Sequence, residues 1–236
     1  MSDAYIDILA YFGIGGAHPG GFSLTQSIME AENIPPKQSV LDIGCGTGQT
    51  AAFLAERFNC HVTAVDNHPL MVEKARQRFK NSKSSVKVVE GDVQNMDFVD
   101  NSFDFVIAES VIVFTDISKT LSELSRVLKS DGTLIMIEMV AEQYLSEEKQ
   151  EKACSLYAIN EILDKDEWIL RLHQAGFTQV EIISSPSVLP QSEINDINPS
   201  ENIKMELFAL WEEHNEFIFY NRDFIGYRAF KCRKHK

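Results

Sequence analysis

The chain has 236 residues, of which 44% are hydrophobic, and a formal net charge of −13 at pH 7. This length and apolar content suffice for one domain, and we expect residues 1–236 to form it around a core of its own. The acidic balance disfavours nucleic acid as a partner, since phosphate backbones are negative as well. The N-terminus lacks a basic segment followed by an apolar run, and no stretch approaches the roughly 20 apolar residues of a membrane span, so we expect a cytoplasmic protein without membrane contact.

Residues 1–36 carry helical fragments that are interrupted by the glycine-rich stretch "GIGGAHPGG". From residue 39 to residue 139, short apolar strands then alternate with amphipathic helices. The strands read "SVLDIG", "HVTAVD", "VKVVEGD", "FDFVIAES" and "GTLIMIEM", and the helices "QTAAFLAERF", "PLMVEKARQRF" and "ISKTLSELSRVL". This alternation predicts an α/β fold with a doubly wound, mostly parallel sheet and helices on both faces.

The alternation stops after residue 139. Residues 141–163 read as polar and helical, and a capped helix follows between Asp164 and Gly176. "TQVEIIS" predicts a sixth strand, and residues 184–199 read as a loop. An aromatic helix is expected within residues 200–220, and "DFIGYRAFKCR" predicts a last strand. We therefore expect a seven-stranded sheet with a helical lid. Residues 1–36 would form an N-terminal lid, residues 38–140 the ligand-binding core, and residues 141–236 the lid helices and closing strands.

The stretch "VLDIGCGTG" is the strongest functional signal in the chain. A strand ends there, glycines occupy alternate positions, and a helix begins. Such a turn lets the backbone approach a ligand without an intervening Cβ and directs helix N-terminal N–H groups at it. A nucleoside triphosphate is disfavoured because Gln49 and Thr50 replace the Lys-Ser or Lys-Thr of a phosphate loop, and the GxGxG spacing differs from the dinucleotide pattern GxGxxG.

"VLDIGCGTG" resembles the first motif of the class I S-adenosylmethionine-dependent methyltransferases, of the type that acts on small molecules. This resemblance makes S-adenosylmethionine the expected cofactor. It implies that Asp42 lies near the amino-acid end of the cofactor. It also implies that Gly44, Cys45, Gly46 and Gly48 pass under its methionine and ribose parts.

The second strand ends in "AVDNHP", where Asp66 follows a buried run. A carboxylate at this position can accept hydrogen bonds from both hydroxyls of a ribose. NAD enzymes and methyltransferases share this arrangement, so Asp66 supports an adenosyl ligand without distinguishing the two classes. The resemblance further implies that Asn67 and Met71 lie beside the ribose and adenine, although Met71 would also suit plain helix packing.

Asp92 follows the third strand in "VEGDVQ". The resemblance implies that its carboxylate accepts from the adenine amino group and that the Val93 N–H meets a ring nitrogen. This third motif favours a methyltransferase over a dehydrogenase.

Glu109 follows the fourth strand, where the chain of the resembled family passes the reacting sulfur and opens on the acceptor pocket. We therefore expect Glu109 to contact acceptor or cofactor, or to act as a general base if the acceptor arrives protonated. The alternative is an acid at a strand end that is bonded to neighbouring backbone N–H groups. Asp104, at the start of the same strand, is expected to serve the fold.

The early glycine-rich stretch has neither a preceding strand nor a following lysine, so it does not fit a phosphate loop. A segment of this kind ahead of the first strand resembles the N-terminal lid of several small-molecule methyltransferases. The resemblance implies that Tyr11, His18 and the turn at residues 19–21 face the reacting methyl group, with His18 as a second catalytic candidate. A flexible linker is the alternative.

The remaining reactive side chains indicate no further site. The 6 histidines show no metal-binding spacing, so no metal is expected, and the 4 cysteines lack a CxxC pair and are expected to be free thiols. Aromatic residues between 208 and 220 predict core packing or a homodimer contact, with a wall of the substrate pocket as the alternative.

Together these features predict in-line transfer of a methyl group from S-adenosylmethionine to a small-molecule acceptor. They do not determine whether the nucleophilic atom of the acceptor is O, N or C. A catalytically silent adenosyl-binding protein is the alternative from another class. An NAD-dependent oxidoreductase is less favoured because of the GxGxG spacing and Asp92.

Overall fold

The sheet has the predicted architecture. The computed structural model describes residues 4–143, 145–185 and 194–234, and these form one seven-stranded sheet with the order β3-β2-β1-β4-β5-β7-β6. β7 pairs antiparallel with β5 and β6, and the other pairs are parallel. The strands are β1 Ser39–Ile43, β2 His61–Asp66, β3 Val86–Glu90, β4 Phe103–Glu109, β5 Leu128–Ala141, β6 Phe177–Ser184 and β7 Ile225–Lys234.

Polar caps fix where several helices begin. Asp116 and Ser146 accept N–H groups of the first turns of α5 and α6, and Asp164 forms a capping box with Glu167 at the start of α7. A short 3₁₀ helix, Ile112–Phe114, follows β4. The helices are α1 Ala4–Phe12, α2 Gly21–Ala31, α3 Gln49–Phe58, α4 Pro69–Phe79, α5 Ile117–Val127, α6 Glu147–Tyr157, α7 Lys165–Gln174 and α8 Met205–Asn221.

Helices cover both faces of the sheet. On one face α5 and α7 bury Leu121 and Trp168 against the strands, and on the other α2, α3 and α4 bury Met29, Leu54 and Ala75. The central strands are apolar on both sides because both faces are covered. β1 and β4 lie side by side at the centre, so their carboxyl ends form the switch point where ligands bind in sheets of this kind.

A third cluster joins α1, α6 and α8, which we call the cover helices. The ring of Tyr5 lies 4.9 Å from Tyr157 and 5.0 Å from His214, measured between centroids. The Tyr157 hydroxyl and His214 Nδ1 are 3.0 Å apart. Burial lowers the pKa of His214 to about 4, so this ring is neutral at physiological pH.

A strap, residues 194–200, joins the early glycine-rich stretch. The Gly15 N–H donates to the Asp196 carbonyl over 2.9 Å, and the Asn198 N–H donates to the Gly13 carbonyl over 2.9 Å. Ile14 and Ile197 form an antiparallel bridge between the two segments. The glycine-rich stretch is thus held by residues that lie far along the chain.

Several predictions about local structure needed correction. Among the described residues between 141 and 163, only Glu147–Tyr157 is helical, and the strand predicted as "GTLIMIEM" begins earlier, at Leu128. The aromatic helix α8 is divided: Phe217 is buried, whereas Phe219 and Tyr220 are exposed. The homodimer stays a prediction. Of the predicted loop at residues 184–199, residues 186–193 lie outside the described residues.

Two expectations about side chains are confirmed. Asp104 accepts the Ser39 N–H over 2.8 Å and the Lys129 ammonium over 2.7 Å, which joins the starts of β1 and β4 and serves the fold. The cysteines are free thiols, and burial raises the pKa of the Cys45 thiol, which disfavours a nucleophilic thiolate in the glycine loop. Among the helices of the described residues, none is long and apolar enough to cross a membrane.

Candidate functional site

A cavity of about 370 Å³ lies at the carboxyl ends of β1 and β4. Its walls come from the glycine loop, the ends of β2 and β4, α1, the early glycine-rich stretch and the end of α6. The predicted site residues that line it are His18, Asp42, Gly44, Cys45, Gly46, Asp66, Asn67, Met71, Val93 and Glu109. Tyr11, Gly48 and Asp92 do not belong to its lining.

The glycine loop is shaped by contacts that leave no room for side chains. Gly44 has φ +59° and a Cβ there would lie 2.2 Å from Val111 Cγ2. Gly48 has φ +81° and a Cβ there would lie 2.8 Å from the Phe79 ring on α4. Gly44 therefore lets the loop after β4 approach, whereas Gly48 serves the packing of α3 against α4.

Asp42 places a buried carboxylate in the cavity. Its side chain is 2% exposed, and the Oδ2 atom has no hydrogen-bond partner among the described residues. Burial raises its pKa well above the usual range, and the nearby carboxylates of Glu109 and Asp66 raise it further. The Oε1 atom of Gln49 is also buried without a partner in the described part of the chain. Buried polar atoms are normally satisfied, so these two acceptors suit a donor that comes from a ligand.

Asp66 is held in place by the backbone around it. Its Oδ2 accepts the Gly46 N–H and its Oδ1 accepts the His68 N–H, both over 2.9 Å. Burial raises its pKa, and these two N–H donors oppose the rise. A carboxylate has about four acceptor sites, so further donors can still bind to it.

The adenine-side candidates differ in burial. Met71 and Val93 are buried, and Asn67 is exposed at the rim. Asp92 is also exposed, and its Oδ1 accepts the Gln94 N–H over 2.9 Å. The structure therefore brings Met71 and Val93 into the cavity wall and leaves Asp92 outside it.

Glu109 is held by side chains rather than by neighbouring backbone N–H groups. The Thr50 hydroxyl donates to its Oε2 over 2.7 Å, and the Thr25 hydroxyl contacts its Oε1. The Nε2 atom of His18 lies 3.0 Å from Thr25 Oγ1 and 3.7 Å from Glu109 Oε1. The Nδ1 atom of His18 lies 3.1 Å from the carbonyl oxygen of Pro19. The two catalytic candidates are thus joined through a threonine on α2.

The remaining N-terminal predictions are met only in part. Ile14, Gly16 and Ala17 line the cavity together with His18, but the turn at residues 19–21 lies outside the lining and leads into α2. Tyr11 lies on α1 with its carbonyl bound to the strap, so it contributes to the cover and not to the lining.

Several residues of the site escaped sequence reasoning. Thr25 lies on the buried face of α2, in helical register with Gly21 and Ile28. A polar residue on this apolar face was the one sign in the sequence that Thr25 has a role in the site.

Glu138 is a lone acid within an apolar strand. It is fully buried and accepts the N–H groups of Val111, Ile112 and Val113. Burial raises its pKa to about 7. Its role is to fix the loop after β4.

Asp196 gave no sequence signal. Its carboxylate accepts the Thr47 hydroxyl over 3.0 Å and forms an ion pair with Arg78. Lys74 donates to the Asn198 carbonyl. The strap is therefore bound to the glycine loop and to α4 as well as to the N-terminal stretch.

Part of the cavity wall is apolar. Ile6 and Leu9 of α1 face it together with Phe114 and Tyr157. No lysine or arginine occurs among the described lining residues, whereas Asp42, Asp66 and Glu109 do. In the part of the chain that the structure describes, no group of three or more His, Cys, Asp or Glu residues could hold a metal ion.

Comparison with known proteins decides the family. Residues 40–132 match a family described as "Methyltransferase domain". A protein of Bacillus subtilis (strain 168), "Uncharacterized methyltransferase YodH", is 31% identical over 231 residues, which cover 98% of this chain and 99% of that protein. The chain belongs to the class I S-adenosylmethionine-dependent methyltransferases. The predicted family, enzyme class and cofactor are thereby confirmed.

Solved structures of other proteins share the fold of this methyltransferase. Phosphoethanolamine N-methyltransferase 2 of Haemonchus contortus, solved with S-adenosyl-L-methionine, matches with a TM-score of 0.79 at 23% identity over 98% of this chain. The chain spans only 57% of the length of that enzyme. The [4+2]-cyclase SpnF matches with a TM-score of 0.70 at 18% identity, covering 99% of this chain and 93% of that one. The fold alone therefore does not decide the reaction, and the sequence relationship carries the assignment to the methyltransferases.

Proposed function

We propose that this protein transfers a methyl group from S-adenosylmethionine to a small acceptor bound between the glycine loop and the cover helices. The buried, unpartnered Oδ2 of Asp42 carries the proposal. An uncompensated carboxylate in a cavity is costly, and the α-ammonium group of the cofactor would compensate it. Gln49 Oε1 would accept from the same end of the cofactor.

The other lining residues fit the rest of the cofactor. Asp66, oriented by two backbone N–H groups, would accept from the ribose hydroxyls. Met71 and Val93 would enclose the adenine with apolar surface, and Asn67 would border it at the rim. Gly46 leaves the backbone open to the ligand, since a Cβ there would meet nothing closer than Met71 Cε at 3.9 Å.

When bound, S-adenosylmethionine supplies a methyl carbon that is activated by the positive charge on sulfur. The protein then has to hold the acceptor in line with that carbon and exclude water. Alignment of this kind is worth roughly 7–11 kcal/mol of barrier. Ile6, Leu9 and Phe114 would supply the apolar wall that positions the acceptor.

The charge of the cavity narrows the class of acceptor that we propose. The Haemonchus contortus enzyme is named for phosphoethanolamine, an acceptor that carries a phosphate. A phosphate needs cationic partners, and the described lining of this cavity offers three carboxylates and two imidazoles, those of His18 and His68, but neither lysine nor arginine. We therefore propose a small neutral or amine-bearing acceptor with an apolar part.

Titration calorimetry tests the cofactor assignment. S-adenosylhomocysteine is expected to bind the wild-type protein, and NAD⁺ is not. Asp42→Asn should weaken the binding of S-adenosylhomocysteine, while Glu30→Gln, an exposed change on α2, should not. Binding of NAD⁺ in place of S-adenosylhomocysteine would contradict the proposal.

Turnover tests the reaction. The protein is incubated with a methyl-labelled donor and a panel of small phenols, alcohols, amines, carbon acids and their phosphorylated counterparts. Transfer to an unphosphorylated member is the expected result. Cofactor binding without transfer to any member would instead favour the catalytically silent binding protein.

A further inference from the structure

We propose that His18, Thr25 and Glu109 form a proton relay that takes up the proton released when an O–H or N–H acceptor is methylated. The proposal rests on the proposed methyl transfer and goes beyond it, since it names the class of nucleophile. It also assigns a role to Thr25, which does not line the cavity.

The first step concerns the imidazole of His18. Its Nδ1 atom lies 3.1 Å from the carbonyl oxygen of Pro19. A carbonyl oxygen only accepts, so Nδ1 carries a proton and donates it. In the neutral ring, Nε2 then has only its lone pair to offer.

The second step counts the protons around Thr25. Its hydroxyl oxygen contacts His18 Nε2 over 3.0 Å and also contacts Glu109 Oε1. The hydroxyl owns one proton and can donate to only one of the two. Both contacts become hydrogen bonds only when one more proton sits on Nε2 or on the Glu109 carboxyl. The trio therefore gains a hydrogen bond when it takes up a single proton.

The surroundings of the trio strengthen this effect. His18 is 4% exposed and Thr25 is 0% exposed, so an unsatisfied contact between them is costly. The Thr50 hydroxyl holds the other oxygen of Glu109 over 2.7 Å, which fixes the carboxyl towards Thr25. A chain of this kind polarises along its length, so that each hydrogen bond strengthens its neighbour.

Other titratable groups face the relay. Asp42 on β1 interacts with the Glu109 charge, and Asp66 on β2 interacts with Asp42. The Tyr227 hydroxyl on β7 lies near Gly20, just before α2.

The chemical step balances with these groups alone. In the transfer, the acceptor atom would form a bond to the methyl carbon while the carbon–sulfur bond breaks and its electron pair stays on sulfur, which becomes a neutral thioether. The acceptor O–H or N–H bond would break in the same step. Its electron pair stays on the acceptor atom, and its proton passes to Glu109 and through Thr25 to His18. The proton leaves to solvent after the product departs. Glu109 and His18 line the cavity and would be catalytic residues, whereas Thr25 acts through them as a positioning residue.

The test compares two replacements of Thr25 with a matched control. Thr25→Val keeps the shape and removes the hydroxyl, and Thr25→Ser keeps the hydroxyl. Thr133→Val makes the same change at another buried threonine, which lies on β5 and whose hydroxyl accepts from Arg233 on the paired strand β7. Binding of S-adenosylhomocysteine, measured by calorimetry, is expected to stay within twofold of wild type in all three variants.

The first readout needs no acceptor. In protein labelled with ¹⁵N-histidine, the pH titration of His18 is followed by NMR with S-adenosylhomocysteine present. The midpoint is expected to fall in Thr25→Val, because the protonated ring loses its bridge to Glu109, and to stay near wild type in Thr25→Ser and Thr133→Val. Glu109→Gln should lower it as well. A His18 midpoint that is the same in wild type and Thr25→Val overturns the relay.

The second readout is methyl transfer to the acceptor panel. We expect the wild-type protein to methylate O–H or N–H acceptors. In Thr25→Val, we expect kcat for these acceptors to fall about tenfold or more, because general-base catalysis contributes roughly 10²–10⁴-fold. Turnover of carbon acids alone overturns the relay and leaves the methyl transfer standing. Failure of every acceptor contradicts the proposed function, while the NMR titration still decides on the relay.

Discussion

The floor of the cavity comes from the ends of neighbouring strands, whereas its cover is assembled from segments that are far apart in the chain. The floor consists of the glycine loop, Asp42 and Asp66, all within the first two strand–helix units. The cover combines α1, the early glycine-rich stretch and α6, and the strap holds α1 and that stretch through backbone hydrogen bonds. In the floor, backbone geometry and buried charge dominate, and in the cover, contacts between distant side chains do. Replacements in the floor should therefore affect cofactor binding more strongly than replacements in the cover.

Gly44→Ala should have the largest effect. The new Cβ would lie 2.2 Å from Val111 Cγ2 at a φ of +59°, so the loop or its neighbour has to move. We expect the affinity for S-adenosylhomocysteine to fall at least about 100-fold, which corresponds to about 2.8 kcal/mol. Calorimetry measures it, with Gly91→Ala as the control, because a Cβ at Gly91 would meet nothing closer than 3.6 Å. Equal affinities of both variants would contradict the role of Gly44.

Asp42→Asn should come next and should separate binding from stability. We expect the affinity for S-adenosylhomocysteine to fall about tenfold or more, since the ammonium group loses its counter-charge. The ligand-free variant should melt at a higher temperature than wild type. Because the pKa of Asp42 is raised in the folded protein, its contribution to the free energy of unfolding falls as pH rises above its ordinary value of 3.8. The gain in Tm should therefore grow from pH 5 to pH 8, and a gain that shrinks over this range would contradict the assignment.

Asp196→Asn tests the cover. It removes the charge that binds Arg78 and Thr47 and so loosens the strap over the glycine loop. We expect a faster release of S-adenosylhomocysteine in stopped-flow measurements and an affinity lower by about threefold to tenfold. Glu30→Gln, which breaks an exposed ion pair with Arg57, is the control and should change neither. A loss as large as that of Gly44→Ala would remove the distinction between floor and cover.

Asp92→Asn should have the smallest effect. The resemblance assigns its carboxylate to the adenine, but the side chain is exposed and already accepts from Gln94. A solvent-exposed contact contributes little, so we expect the affinity for S-adenosylhomocysteine to change less than about threefold. A tenfold loss of affinity would instead support the contact of Asp92 with the adenine. Asp92 would then contribute to cofactor binding as the floor residues do.

The alternation of strands and helices could be predicted because each unit carries its own signal. The bounds of α3 and α4 agree with the predicted helices, since a glycine loop precedes the first and Pro69 starts the second. Both ends of α7 were equally readable, its start from the capping box and its end from Gly176. These are local effects of periodicity and capping, and they do not depend on the rest of the fold.

The site was only partly predictable. Asp42, Asp66 and the glycine loop follow strands in a known order, so their positions at one edge of the sheet could be inferred. The contact of Thr25 with Glu109 joins residues 84 positions apart, and that of Thr47 with Asp196 joins residues 149 positions apart. No periodicity relates such pairs. The sequence alone also could not separate Tyr11, which lies outside the cavity lining, from His18, which lies within it.

The amino-acid sequence by itself determined the sheet, the glycine loop and the acidic residues at its strand ends, because hydrophobic periodicity and glycine geometry act over a few neighbouring residues. Only the tertiary structure decided which side chains cover the cavity and which hydroxyl joins His18 to Glu109. The physical reason is that hydrogen bonds and ion pairs between distant segments depend on side-chain positions to within fractions of an ångström. Those positions are fixed only when the cover helices, the strap and the sheet pack together.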